Sequence, residues 1–571
     1  MPSSLREPKL SEMAPLILGL HGLLPGIQSP GVHDASYCLL EPNSGRIERL
    51  VEMEKLSGVR HDGRLDAELL RDELGSCRSR GLEIATSHFT PFQHDPKRQF
   101  PLFRGAQLVD TSDLRHCEER RRHLLGNAFP NYVYLHELAH VFSAYMYREE
   151  DHEEFLGLVV EGSGSFTQSC LFRIAGFRVQ LLEYNLPVLS GHFFQQWLSR
   201  YVFDIDRRDY AGRAATPGKA MALAAYGDPE RFKRPLLHAV GQHPAGKYIN
   251  YREGFCPELE NRNLSWKDRV DLCAAGQAAF EELLVREASR IRKRYGNLPL
   301  YYAGGCALSV KTNSRLRAIF DNLVIPPNCA DDGQALGLAA LHAFLKYRVL
   351  AQPLGPNTAL QANHDRDLNL IGGLTEVDLD QVVSWLARGE MIGWAQGMPE
   401  IGPRALCRRS ILACPAQLEM RHQINHIKER EYYRPVAPVV LHSAGDSLFE
   451  GYFFSPYMLY DFPVRPECRG LIPAALHKDG TARVQSVLDD RSDIARLLKK
   501  FAEKTGKPPV LLNTSLNARG KPIAATSEQL SDTFSTLKIN HLVLGARIFT
   551  PRNGEVITTN NLKDQNPFHR A

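Results

Sequence analysis

The stretch Gly402-Pro-Arg-Ala-Leu-Cys-Arg-Arg-Ser410 decides the reading of this chain together with two others, Lys428-Glu-Arg-Glu-Tyr-Tyr-Arg434 and Leu512-Asn-Thr-Ser-Leu-Asn-Ala-Arg-Gly520. All three lie in the C-terminal third and set guanidinium and ammonium groups beside turn-forming Gly, Pro and Asn. That is phosphate-holding chemistry. Arginine forks grip oxyanions with two parallel hydrogen bonds, and lysine adds a mobile point charge. A basic run is often only a solvated face. Here the runs adjoin apolar, strand-like segments at Met391–Gln396 and Val510–Leu512, which argues against that bland reading.

The rest of the chain is ordinary globular protein in composition. Its 571 residues are 43% hydrophobic and 23% charged, too many for one core, so two or more domains of α/β type are expected. The net charge of +4 comes from 69 basic and 65 acidic residues, a balance that gives no support for a nucleic-acid partner. Eleven cysteines are scattered without a Cys-x-x-Cys pair, as expected of reduced cytoplasmic thiols. No apolar run reaches the roughly 18 residues of a membrane span, and the polar start before Leu16 lacks a signal-peptide layout.

Short apolar runs at Leu16–Leu20 and Tyr37–Glu41 read as an antiparallel strand pair. Val133–Tyr145 has helical periodicity, and Leu156–Val160 reads as a buried strand ending in a Gly turn. Ala274–Lys293 and Gln334–Lys346 read as helices, with a strand at Leu300–Ala303 before Gly304-Gly305. Thr216-Pro-Gly-Lys219 reads as a turn that opens a small-residue helix. The Pro- and Asn-rich segment from Ala351 to Asp365 is the linker candidate, and Val377–Arg388 starts the next αβ unit.

His136-Glu-Leu-Ala-His140 sets two imidazoles four apart on one helix face, where both reach one metal. A zinc peptidase would need Glu137 as base and Glu161 as third ligand, but Glu161 follows a strand rather than sitting on a helix. A third ligand from farther away is the stronger expectation, with Asp331 the best candidate. Its neighbour Asp332 is the rival, or a helix N-cap. His33, at a turn between the first strands, could serve a hydroxyl as a general base. Gly304-Gly305 is a candidate phosphate-contacting turn.

In this order the motifs Gly31-Val-His-Asp-Ala-Ser36, His136-x-x-x-His140, Gly218-Lys-x-Met-x-Leu-Ala-Ala-Tyr-Gly227, Ala303-Gly-Gly305, Asp331-x-Gly333, Gly402-Pro-Arg-Ala-Leu406, Lys428-x-Arg-Glu-x-x-Arg434 and Leu512-Asn-Thr-Ser-x-Asn-x-Arg-Gly520 resemble the NodU/CmcH-type O-carbamoyltransferases. They span nearly the whole chain. The resemblance implies an actin-like (ASKHA) α/β domain, related to threonylcarbamoyl transferases, over residues 1–360. A YrdC-like α/β domain over 370–571 would follow it. It further implies ATP and carbamoyl phosphate as substrates and a carbamoyl adenylate intermediate. A small-molecule hydroxyl acceptor from secondary metabolism, an antibiotic for example, would receive the group. One divalent metal, iron in the wider superfamily, is implied in the first domain, with magnesium as a further ion.

Carried over residue by residue, Arg404, Lys428, Arg434 and Arg483 match positions holding carbamoyl phosphate and ATP. Asn513, Thr514, Ser515 and Asn517 match a loop lining that pocket. Lys428 and Arg434 carry the activation step, and His33 matches the acceptor-side base. Lys219, Glu161, Gly304 and Gly305 match the nucleotide side of the first domain. His136, His140 and Asp331 match the metal ligands. The chain departs from the family at Glu161, where Asp is usual, at Ser309, where Asn is common, and at Cys407, which replaces a frequent Gly. Gly75–Arg122 matches little and is the candidate acceptor side of the cleft. Related threonylcarbamoyl or hydrogenase-maturation transfer is the alternative within this chemistry. Hydrogenase maturation brings zinc-finger cysteine pairs that this chain lacks, and the balanced charge argues against tRNA.

Overall fold

The computed structural model describes residues 14–23, 33–77, 81–88, 118–124, 127–243, 246–251, 254–260, 262–356 and 374–550. The chain alternates strands and helices and is α/β throughout. Part of the linker candidate, 357–365, and much of the proposed acceptor region, 89–117, fall outside these residues.

The first sheet contains β1 (Leu16–His21), β2 (Ser36–Glu41), β3 (Arg46–Glu52), β4 (Leu82–His88), β5 (Glu118–Leu124) and β6 (Asn127–Leu135) in the order β3-β2-β1-β4-β6-β5. β1 and β2 pair antiparallel, as their short apolar runs predict, with Gly19 opposite Cys38. β4 lies parallel to both β1 and β6. The second sheet contains β7 (Glu154–Val160), β8 (Ser169–Ala175), β9 (Arg178–Tyr184), β10 (Leu300–Ala303) and β11 (Leu323–Val324) in the order β11-β10-β7-β8-β9. Its connectivity repeats the first. Three antiparallel strands come first, and two more are then added in parallel beside the opening strand. Such a duplication makes two lobes of like plan.

A short helix α1 (Met53–Ser57) follows β3. Helix α2 (His136–Tyr145) follows β6 and packs on the second sheet. Helices α3 (Tyr210–Ala224) and α4 (Trp266–Tyr295) pack together, α4 opening on a Ser265/Asp268 capping box. Helix α5 (Gln334–His342) follows β11 and packs on the first sheet, so the two lobes exchange helices. Missing side chains permit this crossing. A Cβ on Gly19 of β1 would sit 2.0 Å from the Ala335 carbonyl oxygen of α5, and one on Gly157 of β7 would sit 2.5 Å from Val141 of α2. Where α2 and α5 touch, a Cβ on Gly337 would sit 1.8 Å from the Ala139 carbonyl oxygen. Gly337→Ala should therefore destabilise the chain by about 3 kcal/mol or more, because backbone rather than a movable side chain blocks the methyl. An unchanged denaturation midpoint would show that the helices separate freely.

The third sheet lies within 392–549 and is built from β12 (Ile392–Ala395), β13 (Arg409–Ala413), β14 (Ala437–Leu441), β17 (Gln485–Val487), β18 (Val510–Ser515), β19 (His541–Leu544) and β20 (Arg547–Phe549), ordered β17-β14-β18-β13-β12-β19-β20. A separate ribbon pairs β15 (Asp461–Pro463) with β16 (Thr481–Arg483). Helix α6 (Leu418–Ile427) leads directly into Lys428. The core is continuous between the second and third sheets, with Leu156 and Tyr302 in one cluster with Met420, Val440 and Leu512. This continuity walls the cleft between the two parts. Among the described residues no helix is long and apolar enough to cross a membrane. Nine cysteines, Cys38 and eight from Cys170 to Cys468, are buried and free.

Three local expectations are corrected. Val133–Leu135 is the end of β6, pairing with β4, and the helix begins at His136. Residues that suit both a helix face and a buried strand follow the available sheet edge. Thr216-Pro-Gly is not a turn: α3 runs through Pro217, because Thr216, Ala220, Ala222 and Leu223 bury one continuous face. Tertiary packing there outweighs the hydrogen bond that proline cannot make. Asp332 does not cap α5. Gly333 holds the N-cap position, and no side-chain cap bond forms.

Candidate active site and metal centre

The helix exchange brings distant donors to one point. α2 delivers His136 and His140 on consecutive turns, the end of β7 delivers Glu161, and the turn before α5 delivers Asp331. One ligand atom from each lies within 4.8 Å of the others, and all four residues are buried. His136 Nε2 is 3.2 Å from Glu161 Oε2 and 3.2 Å from Asp331 Oδ1. His140 Nε2 is 3.2 Å and 3.4 Å from the same two atoms. Burial by itself would raise the Asp331 pKa, but His136 and His33 overrule it and hold the carboxyl well below its usual range. Converging imidazole and carboxylate lone pairs fit a divalent cation, which would replace the protons that otherwise balance this buried charge.

Glu137 is placed differently. It accepts from the Phe166 amide at 3.2 Å, and burial, then the neighbouring Glu161 charge, push its carboxyl up to about 7. Glu161 and Asp331 line the large cleft, whereas Glu137 does not. The base of the peptidase reading is thus held behind the donors. His140→Ala should lose most of the single bound ion in metal analysis of the purified chain. Full occupancy in that variant would move the centre elsewhere.

The acceptor-side histidine joins this centre through carboxylates. His33 Nε2 lies 3.6 Å from Asp331 Oδ2, and its Nδ1 lies 2.7 Å from Asp34 Oδ2. The other oxygen of Asp34 meets His61 Nδ1 at 2.8 Å. Burial works against protonation of His33, yet Asp331 and Asp34 raise its pKa to about 9. Both Asp34 and His61 have left-handed backbone, with φ of 56° and 54°. Non-glycine residues hold that conformation where surrounding bonds over-determine it. Here the Ala35 amide donates to the Asp62 carbonyl at 2.7 Å, and the His61 amide to Glu54 at 3.0 Å. His21 closes the group, its Nε2 3.0 Å from the His33 carbonyl oxygen.

A cluster of cations shares the cleft with this centre. Arg60, Arg404, Lys428, Arg430, Arg434 and Arg483 line one cavity of about 1610 Å³ with His33, Asp34, His61, Glu161 and Asp331. Lys428 Nζ donates to Asn517 Oδ1 at 2.7 Å, to the Asn517 carbonyl at 3.0 Å, and to the Ser515 carbonyl. Arg430 donates to Thr514 Oγ1 at 3.3 Å. Arg404 Nε and Arg483 Nε are buried without a hydrogen-bond partner among the described residues. Burial, then the Arg430 and Arg434 charges, pull the Lys428 pKa well below its usual value. Burial and neighbouring cations likewise bring Arg430 down to about 9 and Arg404 to about 10. Cations crowded this way are matched to a polyanion.

Arg404, Lys428, Arg434, Arg483, Asn513, Thr514, Ser515 and Asn517 all line this cavity. Asn513 itself is tied back, donating to Gln485 Oε1 at 2.6 Å and to the Ala405 carbonyl at 3.1 Å. Lys219 also lines the cavity, ion-paired with Glu431 at 2.9 Å across the two parts of the chain. Gly305 faces the cavity, but Gly304, at φ 93°, packs under the end of β7, where a Cβ would meet the Val160 oxygen at 2.4 Å. Glu161, read as a nucleotide-side residue, stands among the metal donors. Cys407 takes φ 65°, which explains why glycine is frequent there, and packs between Gln485 and Asn513. Sequence reasoning missed His21, Arg60, His61 and Arg430. Arg430 lay inside a quoted motif. Arg60 and His61 sit in a turn with no periodicity to mark them.

Residues 126–341 match the family described as Carbamoyltransferase N-terminus, and 383–550 match Carbamoyltransferase C-terminus. The chain is 30% identical over 440 residues to nodulation protein NolO of Bradyrhizobium diazoefficiens, covering 72% of this chain and 77% of that protein. It is 30% identical over 443 residues to nodulation protein NolNO of Sinorhizobium fredii, covering 73% and 63%. It is 33% identical over 356 residues to the 3'-hydroxymethylcephem-O-carbamoyltransferase of Amycolatopsis lactamdurans, covering 57% and 64%. The match thus spans less than two thirds of the length of NolNO and of the cephem enzyme. Among solved structures, HypF from T. kodakarensis is similar at a TM-score of 0.32 and 13% identity, covering 59% of this chain and 48% of that one.

Proposed function

Because the chain belongs to the NodU/CmcH-type O-carbamoyltransferase family, we propose that it is an ATP-dependent O-carbamoyltransferase acting on a hydroxyl of a small natural product. The observation that carries this reading is the single cavity joining the cation cluster to the imidazole–carboxylate centre. The C-terminal part, YrdC-like in this reading, activates, and the actin-like part transfers.

In the first step carbamoyl phosphate gives phosphate and carbamate with one water. Carbamate oxygen then attacks the α-phosphorus of ATP, so that carbamoyl adenylate forms and pyrophosphate leaves. Arg404, Lys428, Arg430, Arg434 and Arg483 hold the phosphates, and the Asn513–Asn517 loop closes over them. In the second step the acceptor hydroxyl attacks the carbamoyl carbon. A new C–O bond forms, the bond to AMP breaks, and the hydroxyl proton passes to the neutral form of His33, oriented by Asp34; a cation bound at Asp331 would favour that neutral form, because Asp331 is one of the two carboxylates that raise the His33 pKa. Holding both steps in one cleft keeps water from the mixed anhydride. A divalent ion held by His136, His140, Glu161 and Asp331 would supply Lewis-acid polarisation of nucleotide phosphate. Lys219 and Gly305 complete the nucleotide side.

The test is incubation with ATP, carbamoyl phosphate and a panel of polyhydroxylated antibiotics, including a 3'-hydroxymethylcephem, read by mass. Gain of one carbamoyl group with AMP and pyrophosphate release is expected. Carbamoyl gain without ATP consumption would remove the adenylate from the scheme.

A further inference from the structure

Two buried ionisable side chains stand outside the proposed catalytic constellation. Lys55 of α1 is 1% exposed and Glu52, before it, is 3% exposed. Lys55 Nζ lies 2.8 Å from Glu52 Oε2. The ammonium also donates to the Gly402 carbonyl at 2.8 Å and to the Glu400 carbonyl. Glu52 Oε1 accepts the Gly402 amide at 2.8 Å. Both charges are thus spent on the backbone of one turn, far away in sequence. That turn is wedged as well: Gly402 has φ 86°, and a Cβ there would meet the Pro327 oxygen at 2.4 Å. Two residues on stands Arg404, whose guanidinium has neither an ion pair nor a partner for Nε among the described residues.

Replacing a buried ion pair by apolar residues is often neutral or stabilising, so such a pair is weak evidence of a stability role. Registering one element against another is its best-attested use. We propose that the Glu52–Lys55 pair is a positioning device that fixes the Gly402–Arg404 turn and thereby sets the affinity of Arg404 for the phosphate of carbamoyl phosphate. The pair is tied into the C-terminal part from a second side, since Gln529 Nε2 donates to the Lys55 and Leu56 carbonyls at 3.0 and 3.1 Å. The turn after α1 carries Arg60 to the cation cluster and His61 to Asp34. One short segment therefore registers both halves of the cleft.

The inference rests on the reading that Arg404 holds carbamoyl phosphate, and the experiment separates the two. Binding of carbamoyl phosphate and of inorganic phosphate to the full chain is measured by calorimetry, with thermal unfolding followed in parallel. Lys55→Met alone strands the Glu52 charge, so the test is carried by the double variant Glu52→Gln, Lys55→Met. Carbamoyl phosphate affinity should fall about tenfold or more in a chain that still unfolds cooperatively, as for a displaced charged hydrogen bond. In an Arg404→Ala background the same pair change should add little, since residues acting as a unit are not additive. Affinity within twofold of the unaltered chain, or an equal loss without Arg404, overturns the proposal. If the unaltered chain binds phosphate but not carbamoyl phosphate, the substrate reading fails while the phosphate arm still tests the pair.

Discussion

Lys428→Ala is expected to abolish pyrophosphate release from ATP plus carbamoyl phosphate. Lys428 is 6% exposed and sits where burial and the Arg430 and Arg434 charges already disfavour a lone ammonium. A cation kept in such a place stabilises an anion that arrives there. Removing one preorganised group of this kind typically costs about two to three orders of magnitude in rate. The same ammonium ties down the Ser515 and Asn517 backbone, so the loop loses an anchor as well. Arg434→Ala separates the two causes, because the Arg434 side chain makes no such loop bonds and meets only Glu431, at 3.7 Å, among the ion pairs described. Both variants should fail at the first step while melting as single transitions. Normal release by Lys428→Ala would remove activation from this wall of the cleft.

His33→Asn should still release pyrophosphate but fail to transfer. Its ring lies between Asp34 and Asp331 and is bonded to none of the cations assigned to activation. Asparagine can keep a donor to Asp34, so the turn should survive while the imidazole is lost. Base assistance is worth about two to four orders of magnitude. Pyrophosphate and carbamoylated acceptor, followed in one reaction, report the two steps separately. Transfer near the unaltered rate would reduce His33 to a turn histidine. Loss of both steps would mean that it organises the shared cleft, and the division of labour would be withdrawn.

Part of this arrangement is visible in the text of the chain, and part is not. Short apolar runs such as Leu16–Leu20 and Val510–Leu512 carry their strand identity locally, because every side chain in them is buried. The motif spacings around Arg404, Lys428 and Asn513 are likewise local, and the cavity gathers all three. Periodicity could not place the start of α2, since Val133–Leu135 suits a buried strand as well as a helix face. It could not foresee that α3 runs through Pro217, which depends on what that helix packs against.

By itself, then, the sequence determined the α/β class, the two groups of chemistry-bearing motifs and most of the phosphate-facing side chains, because composition, period and turn residues are properties of neighbouring positions. Only the tertiary structure decided that Glu161 joins His136, His140 and Asp331, that His61 shares Asp34 with His33, and that Lys55 grips the Gly402 turn. The donor cluster depends on helices exchanged between lobes at Gly19 and Gly337, where backbone leaves no room for a Cβ, and at Gly157, where Val141 leaves none. A glycine announces that approach to no particular partner. The partner is chosen by packing across hundreds of residues, which no local pattern encodes.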